Sequence, residues 1–92
     1  MSYALRFGGA ASKDLEGLHP RIRDRVMLRL KLPCDDPRPH GSEHLKGNLK
    51  GLRRLRVGEY RASYTVDDDA GFVLVVAVGP RGAFYEQLRR RR

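Results

Sequence analysis

Apolar residues recur along this chain with two periods, and the change from one to the other marks the elements. Tyr3, Leu5 and Phe7 alternate with small or polar neighbours, the two-residue period of a half-buried strand, and Gly8-Gly9 closes it. The stretch Ser12–Glu16 reads as a capping box, with Ser12 as N-cap and Leu15 and Leu18 turned inward, which predicts a short helix. Pro20 suits a first helical position, and Ile22, Val26 and Leu30 follow at spacing four, so a second helix is predicted with Arg21, Arg25 and Arg29 in a row beside its apolar stripe. The short break Gly17-Leu18-His19 makes the pair a helical hairpin, with His19 at the start of its second helix. Residues 33–42 hold three prolines and a glycine and predict a loop. The period then returns to two: Leu52–Val57, a turn at Gly58-Glu59, Tyr60–Val66, a turn over Asp67–Gly71 and Phe72–Val78 form a three-strand antiparallel meander. Its last strand is almost continuously apolar, as expected of a strand that is central or covered by a helix. Gly79-Pro80 ends it, and Phe84, Leu88 and the terminal arginines predict a last helix whose cationic end suits the helix dipole. The predicted fold class is α+β: N-terminal strand, helical hairpin, three-strand antiparallel meander and C-terminal helix.

Length and composition narrow the function classes. The 92 residues suit one domain spanning 1–92. The single cysteine, Cys34, excludes an internal disulfide, and its neighbours Asp35 and Asp36 do not favour a reactive thiolate. His40 and His44 stand four apart without a third ligand, and Asp67–Asp69 lack the order of a calcium loop, so neither metal nor other cofactor is expected. No stretch resembles a signal peptide or approaches the roughly 20 apolar residues of a membrane span, and a cytoplasmic location without membrane contact is expected.

Charge changes the picture most. Nineteen bases against eleven acids give a net charge of +8. Fifteen of those bases are arginine, and residues 44–92 carry eleven bases and five acids, a net of +6. Polyanions are the natural partners. Strand alternation places Arg54 and Arg56 on one face with Leu55 and Val57 on the other. Arg61 follows on the next strand, Arg81 stands where the last strand ends, and Tyr85 lies four residues beyond it. Guanidinium forks grip phosphate, and a tyrosine ring offers a surface for an unstacked base. Lys46, Lys50, Arg53 and Arg56 extend this basic stretch as RNA-binding candidates. The same residues also have a purely structural reading: a strand face paired to acids such as Glu59, Arg61 pinning the sheet, Tyr85 as an aromatic at the core edge, and Arg89–Arg92 as a flexible cationic end.

The segments Leu45–Gly47, Leu55–Tyr64 with its turn Arg56-Val57-Gly58-Glu59-Tyr60-Arg61, and Val78-Gly79-Pro80-Arg81 followed by Tyr85 resemble the RelE/ParE superfamily of type II toxin–antitoxin toxins. The resemblance spans nearly the whole chain and implies the RelE-like sheet, akin to microbial ribonucleases. One arm of the superfamily cleaves messenger RNA in the ribosomal A site without metal; the other, the ParE type, poisons DNA gyrase. The chain is closer to the RelE arm. On that resemblance Arg61 matches the charge-stabilising arginine, Arg81 the arginine on the leaving-group side, Tyr85 the base-orienting tyrosine, and Arg54 a basic residue of the catalytic face. RelE-type enzymes also place two lysines one residue apart on this strand, where the chain has Leu52 and Arg54; Lys50 reaches the site only by a register shift. Arginine, with a pKa above about 12, is a poor general base. The implied partners are a cognate antitoxin, messenger RNA on the ribosome, and operator DNA bound by a toxin–antitoxin hetero-oligomer. Two alternatives stay open: a gyrase inhibitor without nuclease chemistry, and a catalytically weak family member that binds its antitoxin.

Overall fold

The computed structural model describes residues 2–91. Strand β1 (Ala4–Phe7) leads into α1 (Gly9–Glu16) and α2 (Pro20–Asp35); β2 (Ser42–His44) and a 3-10 turn (Gly47–Leu49) precede β3 (Arg53–Val57), β4 (Tyr60–Asp67), β5 (Phe72–Pro80) and α3 (Arg81–Arg91). The five strands form one sheet in the order β1-β5-β4-β3-β2. Strand β1 pairs parallel with β5, and the other pairings are antiparallel. The apolar run of β5 is explained by its place between β1 and β4, under helices on both faces of the sheet.

Several boundaries differ from the sequence expectations, among them β5, which runs through Gly79 to Pro80 instead of ending at Val78. Helix α1 starts at Gly9 with Gly8 as an N-cap that supplies no side chain, so Ser12 lies inside the helix rather than capping it. Its start is fixed by the strand instead: the Gly8 N–H donates to the Val75 carbonyl at 3.0 Å, and the Gly8 carbonyl accepts from the Ser12 N–H at 3.0 Å. Helix α2 opens as expected, with Pro20 at its first turn and His19 accepting from the Arg21 N–H, but it runs through Pro33 to Asp35. Pro33 sits in the last turn, where the helix ends two residues beyond it, and its ring is fully buried, which offsets the one helical hydrogen bond its missing N–H removes. The expected loop over 33–42 is therefore shorter, and residues 42–44 form β2, which makes the meander four-stranded. Finally, β3 begins at Arg53 because Leu52 turns into a hydrophobic cluster.

Two cores lie on opposite faces of the sheet. Helices α1 and α2 cover the larger, which includes Leu15, Val26, Leu30, Leu55, Tyr64 and Val75. The buried Tyr64 hydroxyl donates to the Pro37 carbonyl at 2.9 Å and ties down the α2–β2 connection. Helix α3 closes the smaller core, where Phe84 and Leu88 meet Leu45, Leu49, Leu52 and Ala77. Burial of these side chains contributes about 1.5–3 kcal/mol each.

The C-terminal arginines are less free than a flexible end. Arg91 forms a two-pronged ion pair with Asp14, at 2.5 and 2.9 Å, and also donates to the Val76 carbonyl; Arg92 lies outside the described residues. Asp14 in turn accepts from the Val78 N–H at 3.0 Å, so one carboxylate joins α1, β5 and α3 just past the last residue paired by β1. Its hydrogen bond raises the Arg91 pKa. Asp14→Ala leaves the Val78 N–H without its acceptor and a half-buried guanidinium without its carboxylate, with the Val76 carbonyl still accepting from it, and should cost about 2–3 kcal/mol in urea unfolding.

Candidate active site

The site lies on the α3 side of the sheet, and strand pairing builds it in two rows. In one, Arg56 on β3 faces Arg61 on β4, which faces Gly79 on β5; in the next, Arg54 faces Ser63, which faces Ala77. Leu55 and Ala62, at the alternate positions, enter the larger core. The long cationic side chains thus stand toward β3, while Ser63, Ala77 and Gly79 form a floor of small residues under α3. A Cβ at Gly79 would stand 2.1 Å from the Gln87 Oε1 of α3, so the end of the Gln87 side chain would have to move to admit one.

Arg61 is the deepest of the cations, with 5% exposure. Its Nη1 donates to the carbonyls of Gly58 and Tyr60, both at 2.9 Å, so the β3–β4 turn holds the guanidinium from behind. The turn requires glycine at 58, where φ is +59°. Burial, then the charges of Arg56, Arg54 and Arg81, push the Arg61 pKa below the usual arginine value, while Tyr85 opposes them. Several guanidiniums are therefore held together against mutual repulsion, an arrangement relieved by an incoming anion.

Arg81 is the first residue of α3 and is exposed. Its N–H donates to the Glu59 carbonyl at 2.9 Å, so the turn that supports Arg61 also fixes the start of α3. One turn on, the Tyr85 hydroxyl accepts a hydrogen bond from Arg54 Nη1 at 2.6 Å, and its ring packs edge-on against Phe84 at 5.1 Å between centroids. The other end of Arg54 is ion-paired with Glu43, its cross-strand neighbour on β2. The carboxylate facing this strand is therefore Glu43, not Glu59 as the structural reading expected.

Arg54, Arg56, Arg61, Arg81 and Tyr85 are brought together. Arg53 is not: it belongs to the opposite face, where its guanidinium donates to Ser42 Oγ at 2.7 and 3.2 Å. Lys46 and Lys50 flank the 3-10 turn and are exposed, and Lys50 precedes β3 rather than entering the register of its Arg54 and Arg56 face. Leu52, at the other lysine position of the RelE pattern, is 1% exposed and packs in the core of α3.

Three participants escaped sequence reasoning. Glu43 sits on a strand too short to show alternation. Ser63 Oγ and Gln87 Oε1, with Arg54 Nε, are buried polar atoms without a hydrogen-bond partner among the described residues. Pairing Arg54 with Ser63 in the meander would have found Ser63; Gln87 carries no sequence signal. No group of three metal-ligating side chains lies together among the described residues.

A sheet of this order between a helical hairpin and a terminal helix defines the RelE/ParE class of type II toxins, as comparison with known proteins shows. A variant of the Escherichia coli toxin RelE in its free state superposes with a TM-score of 0.78 at 28% identity, covering 99% of this chain and 98% of that one. The toxin–antitoxin complex RelBE2 of Mycobacterium tuberculosis gives 0.77 at 29% identity, over 88% and 93% of the two chains. In sequence, toxin RelG of Mycobacterium tuberculosis is 30% identical over 95% of this chain and the whole of its own length. Residues 5–83 match the family described as ParE toxin of the type II toxin–antitoxin system parDE, and the chain belongs to that family.

Proposed function

We propose that this toxin is a metal-independent endoribonuclease that cuts messenger RNA in the ribosomal A site, in the cytoplasm, and is restrained by a cognate antitoxin. The observation that carries the reading is the buried Arg61, backed by two turn carbonyls and set among Arg54, Arg56 and Arg81 beneath a tyrosine whose hydroxyl Arg54 holds. In the cleavage, the ribose 2′-oxygen attacks the adjacent phosphorus as its proton is removed. The bond from phosphorus to the 5′-oxygen breaks, and that oxygen takes up a proton from solvent water. The products are a 2′,3′-cyclic phosphate and a 5′-hydroxyl.

Each step has a group to serve it. Arg61 and Arg56 meet the negative charge that grows on the phosphoryl oxygens, where preorganised cations count most. Arg81, at the exposed rim, stabilises the leaving oxygen. Tyr85 gives the base a ring to lie on. The 2′-proton needs an acceptor, which a guanidinium is not; Glu43, drawn to the cluster by Arg54, supplies a carboxylate for this role. Leu52 is core, so the paired-lysine solution is closed to this chain.

The family description favours a second reading, the ParE-type gyrase poison. Expression of the toxin followed by primer extension on translated messages distinguishes the two: the nuclease reading expects new 5′ ends within codons. Inhibition of purified gyrase supercoiling, with messages left intact, contradicts it.

A further inference from the structure

Beneath α3 lie three buried polar atoms without a hydrogen-bond partner among the described residues: Arg54 Nε, Ser63 Oγ and Gln87 Oε1. They come from three elements and share one face of the sheet. Arg54 on β3 faces Ser63 on β4, which is fully buried, and Ser63 faces Ala77 on β5. The pairing shifts immediately after Ser63, so Val76 is left without a partner on β4 and its carbonyl accepts from Arg91 instead. Bulges of this kind re-aim side chains beside functional sites. Gln87 reaches down from α3 and lays its amide over Gly79, which is diagonal to Ser63 in the sheet. Diagonal positions stand roughly 7–8 Å apart, and the side-chain ends shorten that to the span of one water.

We propose that Ser63 and Gln87 are positioning residues for Arg54, acting through one buried water that accepts from Arg54 Nε–H, donates to Gln87 Oε1 and shares a hydrogen bond with Ser63 Oγ. The chemistry of the three groups selects the occupant. The Nε–H only donates, the Oε1 only accepts and the hydroxyl does either, so one molecule with two hydrogens and two lone pairs satisfies them all. A metal cation is repelled by the guanidinium, and an anion by the lone pairs of Oε1. Arg54 is the group that the water steadies. Its Nη1 donates to the Tyr85 hydroxyl at 2.6 Å, and its Nη2 pairs with Glu43. These partners pull from α3 and β2, and the third N–H fixes the plane in which the fork lies. A turn of that plane misaligns Tyr85 and Glu43 together. The catalytic consequence rests on the nuclease reading: Tyr85 receives the base and Glu43 takes the 2′-proton, so Ser63 and Gln87 govern turnover without touching RNA.

The test compares the full-length toxin with Ser63→Ala, Gln87→Met and Gln87→Glu in two measurements. In isotope-labelled protein, the arginine Nε–H signal that disappears in Arg54→Lys belongs to Arg54. It should exchange with solvent about 10-fold or more slower than the signals of exposed arginines and show a nuclear Overhauser contact to water. Ser63→Ala and Gln87→Met should each abolish that protection. On ribosome-bound message the same two variants should lower kcat by about 10- to 100-fold, the scale of a small misplacement of catalytic groups, with KM changed by no more than about twofold. Gln87→Glu keeps an acceptor oxygen and should recover most of what Gln87→Met loses, which packing alone would not do. Urea midpoints identify any variant that has lost its fold, and the half-buried Gln87 carries the test if Ser63→Ala does not fold. Rapid exchange of the Arg54 signal in wild type, or wild-type kcat in both Ser63→Ala and Gln87→Met, overturns the proposal. Protection without a contact to water overturns the water in favour of a direct bond from Arg54 to Ser63. Absence of cleavage by the wild type, with its Arg54 signal protected and in contact with water, overturns the nuclease reading and upholds the water.

Discussion

Arg81→Ala should abolish growth arrest and lower cleavage by about 10²–10³-fold, the usual loss when one preorganised donor to a developing charge is removed, while leaving folding and antitoxin binding intact. The separation follows from the position of the side chain. Arg81 is exposed at the first position of α3, and what anchors the helix there is its backbone N–H on Glu59, which alanine keeps. Its stability should shift by no more than about 0.5 kcal/mol. Arg61→Ala cannot give so clean a result, because it also strips the Gly58 and Tyr60 carbonyls of a buried partner. Cleavage assays on ribosome-bound message, with antitoxin titration and thermal melts on the same preparation, check the prediction. Loss of antitoxin binding together with toxicity would make Arg81 structural.

Phe84→Ala should cost the fold about 3–5 kcal/mol while leaving every charged side chain in place. Phe84 is fully buried and, with Leu88, fastens α3 to Leu45, Leu49, Leu52 and Ala77. That helix also carries Arg81 and Tyr85, so its release dismantles half the site while the α1–α2 core remains packed. The prediction is loss of activity with a lowered urea midpoint and early hydrogen exchange over 81–91. Arg90→Ala, at an exposed position on the same helix, is the control and should stay within about 0.5 kcal/mol of wild type. An unchanged midpoint for Phe84→Ala would show that the second core contributes little.

The parts of the fold that were legible are those where side-chain period and backbone agree. The apolar run of β5 announced a strand covered on both faces, and Pro20 with His19 marked the start of α2. Alternation through Arg54, Leu55, Arg56 and Val57 divided the charged face from the core correctly, and the Gly58-Glu59 turn brought Arg61 opposite Arg56. The same alternation, followed one residue back, puts Arg53 on the other face, where the structure has it. What was hidden depends on tertiary contact. Strand β2 has three residues beside a proline-rich stretch, and pairing with β3 alone makes it a strand. Glu43 was invisible for the same reason. Ser12 looked like a cap because its hydroxyl suits one, yet the Gly8–Val75 hydrogen bond decides where α1 begins. Pro33 looked like a breaker, but in a last turn its buried ring suits the helix.

The central claim is that this arginine cluster cuts RNA held by the ribosome. Purified toxin incubated with ribosomes programmed with a defined message, against the same message free in solution, tests it most directly. Cleavage is expected within the A-site codon only when ribosomes are present, leaving a 2′,3′-cyclic phosphate and a 5′-hydroxyl, without dependence on added metal and with loss of the cut in Arg81→Ala. Intact message at every A-site codon would contradict it.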